Sequence, residues 1–274
     1  MPPSSVLATP QYWLLFSTAT LLATGGMALM AVARPMVQEV FTPSLPSLVT
    51  PAAASAYLMS LAVANLSGRV VWAAVTDRIG TRATFHLMCF GSVPLYLSLP
   101  PLISACTSDP SSPLAPIYLA SFCASSFLAV SIMGGVFSCL PPYEADLYGS
   151  KWVGAIHGKF LPFSSVRALA GPALLLHLRG REEQKALEQL LINVDPELFE
   201  TTFGAGIEAA PLLLEGGGLT LARLAALVPP SVLADPSPLL YNSTMYTLAG
   251  LAMLAGVLHA GIRPVHSKHF VQVK

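Results

Sequence analysis

The chain is 274 residues long, 54% hydrophobic and 10% charged, and its 14 Lys and Arg balance its 14 Asp and Glu. A soluble domain carries about 25% charged residues, so this composition, with a mean hydropathy of +0.64, excludes that class and describes an all-α, polytopic membrane protein. A neutral chain also lacks the basic footprint a nucleic acid would need, so its solvent partner is the lipid bilayer. Cys89, Cys106, Cys123 and Cys139 lie in or at the ends of apolar runs without CxxC spacing. They read as small buried hydrophobes. No basic stretch precedes the first apolar run, which is long enough to span, so it reads as a span and not as a cleaved leader.

A span needs about 20 apolar residues. Six segments qualify, at 11–33, 52–76, 83–105, 114–140, 153–178 and 239–262. The first and fourth carry no charge. The third contains Pro94, Pro100 and Pro101, which predict a kink or an early stop. The fifth is unusual in holding His157, Lys159 and Arg167. Between the fifth and sixth lies a connection over 179–238. Its stretch 181–191 sets Leu187, Leu190 and Leu191 against Glu182, Glu183, Lys185 and Glu188. That pattern predicts a short amphipathic helix outside the hydrocarbon, at the interface. The rest of the connection, with Gly216 to Gly218, Pro229 and Pro230, reads as disorder or a loose surface cap, and the patch from Leu219 to Val228 is too short to span. Three regions result: five spans over 1–178, a non-membrane loop over 179–238, and the sixth span with a tail over 239–274.

Lys and Arg in short loops mark the cytoplasmic side. Arg78 and Arg82 follow span two, Lys151 follows span four, and Arg263, Lys268 and Lys274 follow span six. Thr107 to Pro113 has none, and Arg34 is the single exception. Both termini and the turn at Gly80 are therefore expected in the cytoplasm.

Arg69 is the only charge in the apolar run from Pro51 to Thr76. An arginine at such depth faces a partner or a watery cavity, because lipid does not solvate it. It sits about 12 Å from Asp77 along a helix. Asn65 precedes it by four residues and shares its face, with Tyr57 and Leu61 extending the row. Two readings stand: a guanidinium that forks onto a bound carboxylate, or a structural pair with another helix. Arg167, preceded by Ser164 and Ser165, has the same two options plus snorkelling to headgroups. His157 is either a titrating group or a packing residue. Gly154 with Gly158, and Gly134 with Gly135, predict close helix contacts. Asn242 to Thr244 is a glycosylation sequon placed at the membrane edge, where access is poor. No GxSxG, no HExxH and no paired carboxylates occur, and the interiors of the spans as drawn hold no Asp or Glu. Nothing here equips an enzyme, and no metal or cofactor is implied.

The stretch from Asn65 to Arg82, with Asp77, Arg78, Gly80 and Arg82, resembles the loop signature Gly-x-x-x-Asp-Arg-x-Gly-x-Arg of the major facilitator superfamily, with Ala73 in place of the first glycine. Arg34 to Phe41, and Pro142 to Gly149 running into Gly154 to Gly158 and then Gly171 and Pro172, are similar to the oxalate/formate antiporter family and the related monocarboxylate porters. The resemblance covers about 11–178 and 239–262. It implies that the six spans are helices seven to twelve of a twelve-helix carrier, one half of two around a midplane site. The other half is then a missing or separate N-terminal six-helix partner.

By the same resemblance, Asp77, Arg78, Gly80 and Arg82 form a gating motif. Arg69 takes the substrate-carboxylate arginine, with Asn65 and Tyr57 on its face. Ser164 stands where oxalate carriers place a lysine, and Arg167, one turn on, stands in for it. Asn65 replaces the aspartate of the proton-coupled porters, so that route for a proton is lost. The implied function is secondary transport of a small mono- or dicarboxylate by uniport or exchange. The alternative is a half-transporter without transport activity, acting as a membrane partner or a nonfunctional gene product.

Overall fold

The computed structural model describes residues 1–229, 232–233 and 235–265. Pro230, Lys268 and Lys274 lie outside them. Ten α-helices make up the described chain, with no strand among its residues. After a 3-10 turn at Pro3–Ala8 come α1 (Pro10–Phe41), α2 (Pro51–Ile79), α3 (Thr81–Ser108) and α4 (Ala115–Tyr148). A 3-10 turn at Ser150–Trp152 leads into α5 (Val153–Phe160) and α6 (Pro162–Asn193). Short helices α7 (Pro196–Phe203), α8 (Ala210–Glu215) and α9 (Leu221–Ala225) precede α10 (Asn242–Ala260). Six segments are long and apolar enough to cross a membrane, with α5 and α6 counting as one. The protein is an all-α, multi-pass membrane protein.

Local chemistry explains the breaks. Thr50 caps α2 by accepting from the Ala53 amide, with Pro51 in the first helical position. Gly80 and Gly149 end α2 and α4 at φ 83° and 87°, values at which a Cβ is strained. Their amides close on Thr76 and Ala145; the chain enters α3 directly after Gly80 and reaches α5 through the 3-10 turn after Gly149. Pro162 cannot donate to the ladder, so the fifth span divides into α5 and α6 at Leu161.

Pro94, Pro100 and Pro101 do not stop α3, which runs on to Ser108 between α4 and α10. Packed neighbours make proline tolerable inside a spanning helix. Pro141 and Pro142 likewise leave α4 unbroken to Tyr148, so it outruns the predicted end at 140 and takes in Glu144 and Asp146.

The segment 181–191 is not a separate helix. It is the continuation of α6, whose 32 residues reach about 48 Å at 1.5 Å each, beyond a hydrocarbon core of about 30 Å. Its apolar side, with Leu187 and Leu190 buried, packs against α9, where Leu221 and Leu224 are also buried. The predicted lipid-interface contact is thus met by the chain itself, and the patch 219–228 is part of that cap.

α1 and α4 are the central pair, 67% and 56% buried along their most apolar stretches. α3 and α10 close a ring with them. α2 packs mainly on α4, and α6 mainly on α1. Glycines set the first of these contacts: a Cβ on Gly68 would overlap the Ser131 carbonyl, and one on Gly134 the Asn65 carbonyl. Gly135 lies against the Trp72 ring, whereas a Cβ on Gly154 or Gly158 would meet nothing. The second glycine pair therefore makes no close helix contact of the kind its spacing predicts. The four cysteines are free, three buried and Cys123 half-buried.

Candidate functional site

α2 and the α5–α6 segment are only 17% buried along their apolar stretches. Both leave one flank uncovered, and both carry an arginine toward α4. The Arg69 guanidinium carbon lies 5.4 Å from the centre of the Phe137 ring, and that of Arg167 lies 4.5 Å from it. One ring in α4 therefore holds two cations from two helices. Arg167 is half-buried. Its Nη1 points at the sulfurs of Met133, 3.3 Å away, and Met27, 3.7 Å away, both weak acceptors, and its buried Nε has no partner. Arg69 is exposed on the flank. Among the described residues, no carboxylate lies within salt-bridge distance of either. Two like charges beside one ring repel one another, and a bound anion relieves that repulsion. Met27, Met133 and Phe137, with Phe163 stacked 5.2 Å from Phe137, supply apolar walls.

Ser164 is half-buried one turn before Arg167, and Asn65 is half-buried with its carbonyl against Gly134. Tyr57 does not join them. It lies about 18 Å from Arg69 along α2, buried against Phe122 and Phe127, with its hydroxyl unpartnered. It belongs to the core at the far end of α2. The row that contains it buries Leu61, Gly68, Trp72 and Thr76 against α4, where Trp72 donates to Ser131 and Thr76 to Cys139.

At the Gly80 turn, Asp77, Arg78 and Arg82 are exposed, and none forms an ion pair among the described residues. The turn is fixed instead by Thr81, which donates to Asp146 at 2.8 Å. Nearby, the Tyr143 hydroxyl and His259 Nε2 lie 2.8 Å apart.

Two further clusters escape a reading by hydropathy. Glu144 is fully buried, and its two oxygens each lie 3.1 Å from His157 Nδ1. At the opposite end, Arg179 of α6 forks onto Glu39 of α1, bonds Glu183 at 2.7 Å, and shares Glu39 with the Tyr241 hydroxyl. The signal for the first is present in the sequence: Glu144 and His157 lie on either side of Gly149, whose positive φ turns the chain. Among the described residues, no group of three or more His, Cys, Asp or Glu is placed to hold a metal ion.

No protein-family model, no curated protein and no solved structure matches the chain.

Proposed function

We propose that the chain is one six-helix half of a major-facilitator-type secondary carrier and that it moves a small mono- or dicarboxylate. The observation that carries this reading is the convergence of Arg69 and Arg167 on Phe137 with no acidic partner for either among the described residues. A guanidinium matches a carboxylate in planarity and charge and binds it through two parallel hydrogen bonds. Two such groups on separate helices fit the two ends of a dicarboxylate, or one carboxylate held between them. The sparsely covered flanks of α2 and α6 fit a second half-bundle, against which this one rocks to expose the site alternately to each side.

The exposed stripe Met59, Val63, Leu66 and Val70 on α2 also favours the second reading, in which this half serves as a membrane partner without transporting. Titration of the purified chain with formate, oxalate and malonate separates the two. In the carrier reading the wild type binds, and Arg69→Ala and Arg167→Ala each weaken binding about tenfold to a hundredfold, the loss of a charge-assisted hydrogen-bond pair. Uptake of the same anions into proteoliposomes that hold the chain together with a second six-helix half then falls in parallel. A chain that binds none of the three, or binds them equally well without either arginine, is not a carboxylate carrier through this site.

A further inference from the structure

The Glu144–His157 pair has no place in the anion site, and its geometry is that of an ion site of its own. Glu144 is 0% exposed. Among the described residues its carboxyl has no hydrogen-bond partner except His157 Nδ1. The His157 side chain is 29% exposed, so it joins a sealed carboxyl to solvent. With Nδ1 turned inward, Nε2 is the nitrogen left to exchange a proton with water. The helix that carries His157 is also separable. α5 is eight residues long and lies between the Gly149 turn and the Pro162 break. It docks on the bundle through Ile156 and Phe160, and through the Tyr12 hydroxyl, which donates to the Lys159 carbonyl at 2.6 Å. Arg167 follows Pro162 by little more than one turn.

Resting on the carrier reading, we propose that Glu144 and His157 together bind one exchangeable proton, the coupling ion, and that its release undocks α5 and shifts α6 with Arg167. With the proton bound the pair is neutral overall, as carboxylic acid and imidazole, and the ring takes the carboxyl hydrogen at Nδ1 as it gives one up at Nε2. When the proton leaves Nε2 for water, Nδ1 keeps its hydrogen and the carboxylate remains charged beside a neutral ring. A sealed carboxylate without a counter-charge is strongly disfavoured until it reaches water or regains a partner. Opening α5 away from α4 provides the water.

The neighbouring ionisable groups do not replace that counter-charge. Tyr12 of α1 and Tyr148 of α4 are not basic, and toward α3 and α10 Asp146 is engaged by Thr81 and His259 by Tyr143. Lys151 precedes α5 and Lys159 lies in its last turn, and the Met1 amino group donates to the Tyr148 carbonyl. His157 is the only basic group within salt-bridge distance of Glu144 among the described residues.

Hydrogen–deuterium exchange of 150–161, corrected for intrinsic rates, tests the site on the full chain in nanodiscs. Wild-type protection should fall several-fold as pH rises. Glu144→Gln, which keeps shape without charge, should lose that dependence, and His157→Gln should move the pH at which it occurs. If both variants follow the wild-type curve, the proton site is overturned. In proteoliposomes that hold the chain together with a second six-helix half, a proton gradient should drive wild-type carboxylate accumulation and fail to drive it in Glu144→Gln. Wild-type uptake that ignores the gradient overturns the coupling role. Absence of any uptake, with the Glu144-dependent fall in protection intact, counts against the carrier reading and not against the proton site.

Discussion

Arg69 stands out in the sequence because a lone charge in an apolar run is costly wherever lipid is its only neighbour. What the sequence does not reveal is its companion: Arg167 is 98 positions away, and only the packing of α2 and α6 about α4 brings both to Phe137. The face shared by Asn65 and Tyr57 was legible as periodicity, yet Tyr57 is three turns too far along α2 to serve the same ligand. Glycines divide in the same manner. Gly134 and Gly158 are alike as letters, but only Gly134 touches a backbone carbonyl. Gly134→Ala should therefore destabilise the fold by about 1–3 kcal/mol, since a backbone atom cannot swing aside. Gly158→Ala, in open space inside a helix, should stabilise by about 0.5–1 kcal/mol. Thermal unfolding of the two variants in one detergent should shift in opposite directions.

Six spans are readable from hydropathy because each buries its backbone bonds internally and must be apolar for about 20 residues. Their ends are not readable, since hydropathy falls at the first charge whereas a helix continues until a cap, a glycine or a proline stops it. Hydropathy therefore ends the fourth span at 140, whereas α4 runs past Pro141 and Pro142 and carries Glu144. Arg179 likewise opens the connection that hydropathy draws over 179–238. It is instead the point where α6 leaves the bundle, tied to α1 and to Tyr241 just before α10. These bonds are partly exposed, with the Arg179 side chain 22% accessible. Arg179→Ala should thus cost about 1.5–3 kcal/mol, the range for hydrogen bonds to charged groups. The loss should localise: amide exchange over 179–193 should accelerate, while that over 115–140 stays as in the wild type. Uniform acceleration would mean that the network holds the whole bundle and not one helix end.

At the scale of the molecule, the short turns that carry Lys and Arg and the long cap occupy opposite ends of the helices. The Gly80 turn, the Gly149 turn and the end of α10 meet at one end, where Tyr12 contacts α5, Thr81 contacts Asp146 and Tyr143 contacts His259. At the other, α9 packs against the far end of α6, and α7 and α8 lie between the two in the chain. Arg78, Arg82, Lys151 and Arg263 all belong to the first end. Positively charged short loops remain on the cytoplasmic side during insertion, while a long connection crosses largely regardless of its charge. The cap over 194–241 should then face outward or into a lumen.

Single cysteines at Ala83 and Glu200, both exposed, report on the two ends once the four native cysteines are replaced. An impermeant thiol reagent added to intact cells should label Glu200→Cys if the protein lies in the plasma membrane. It should reach Ala83→Cys only after the cells are opened. In an organelle membrane the order reverses on selective permeabilisation of the plasma membrane, with Ala83→Cys labelled first. Labelling of both positions from the same side would break the link between charge and orientation. It would also require either the cap or the Gly80 turn to lie across the bilayer from where the fold places it.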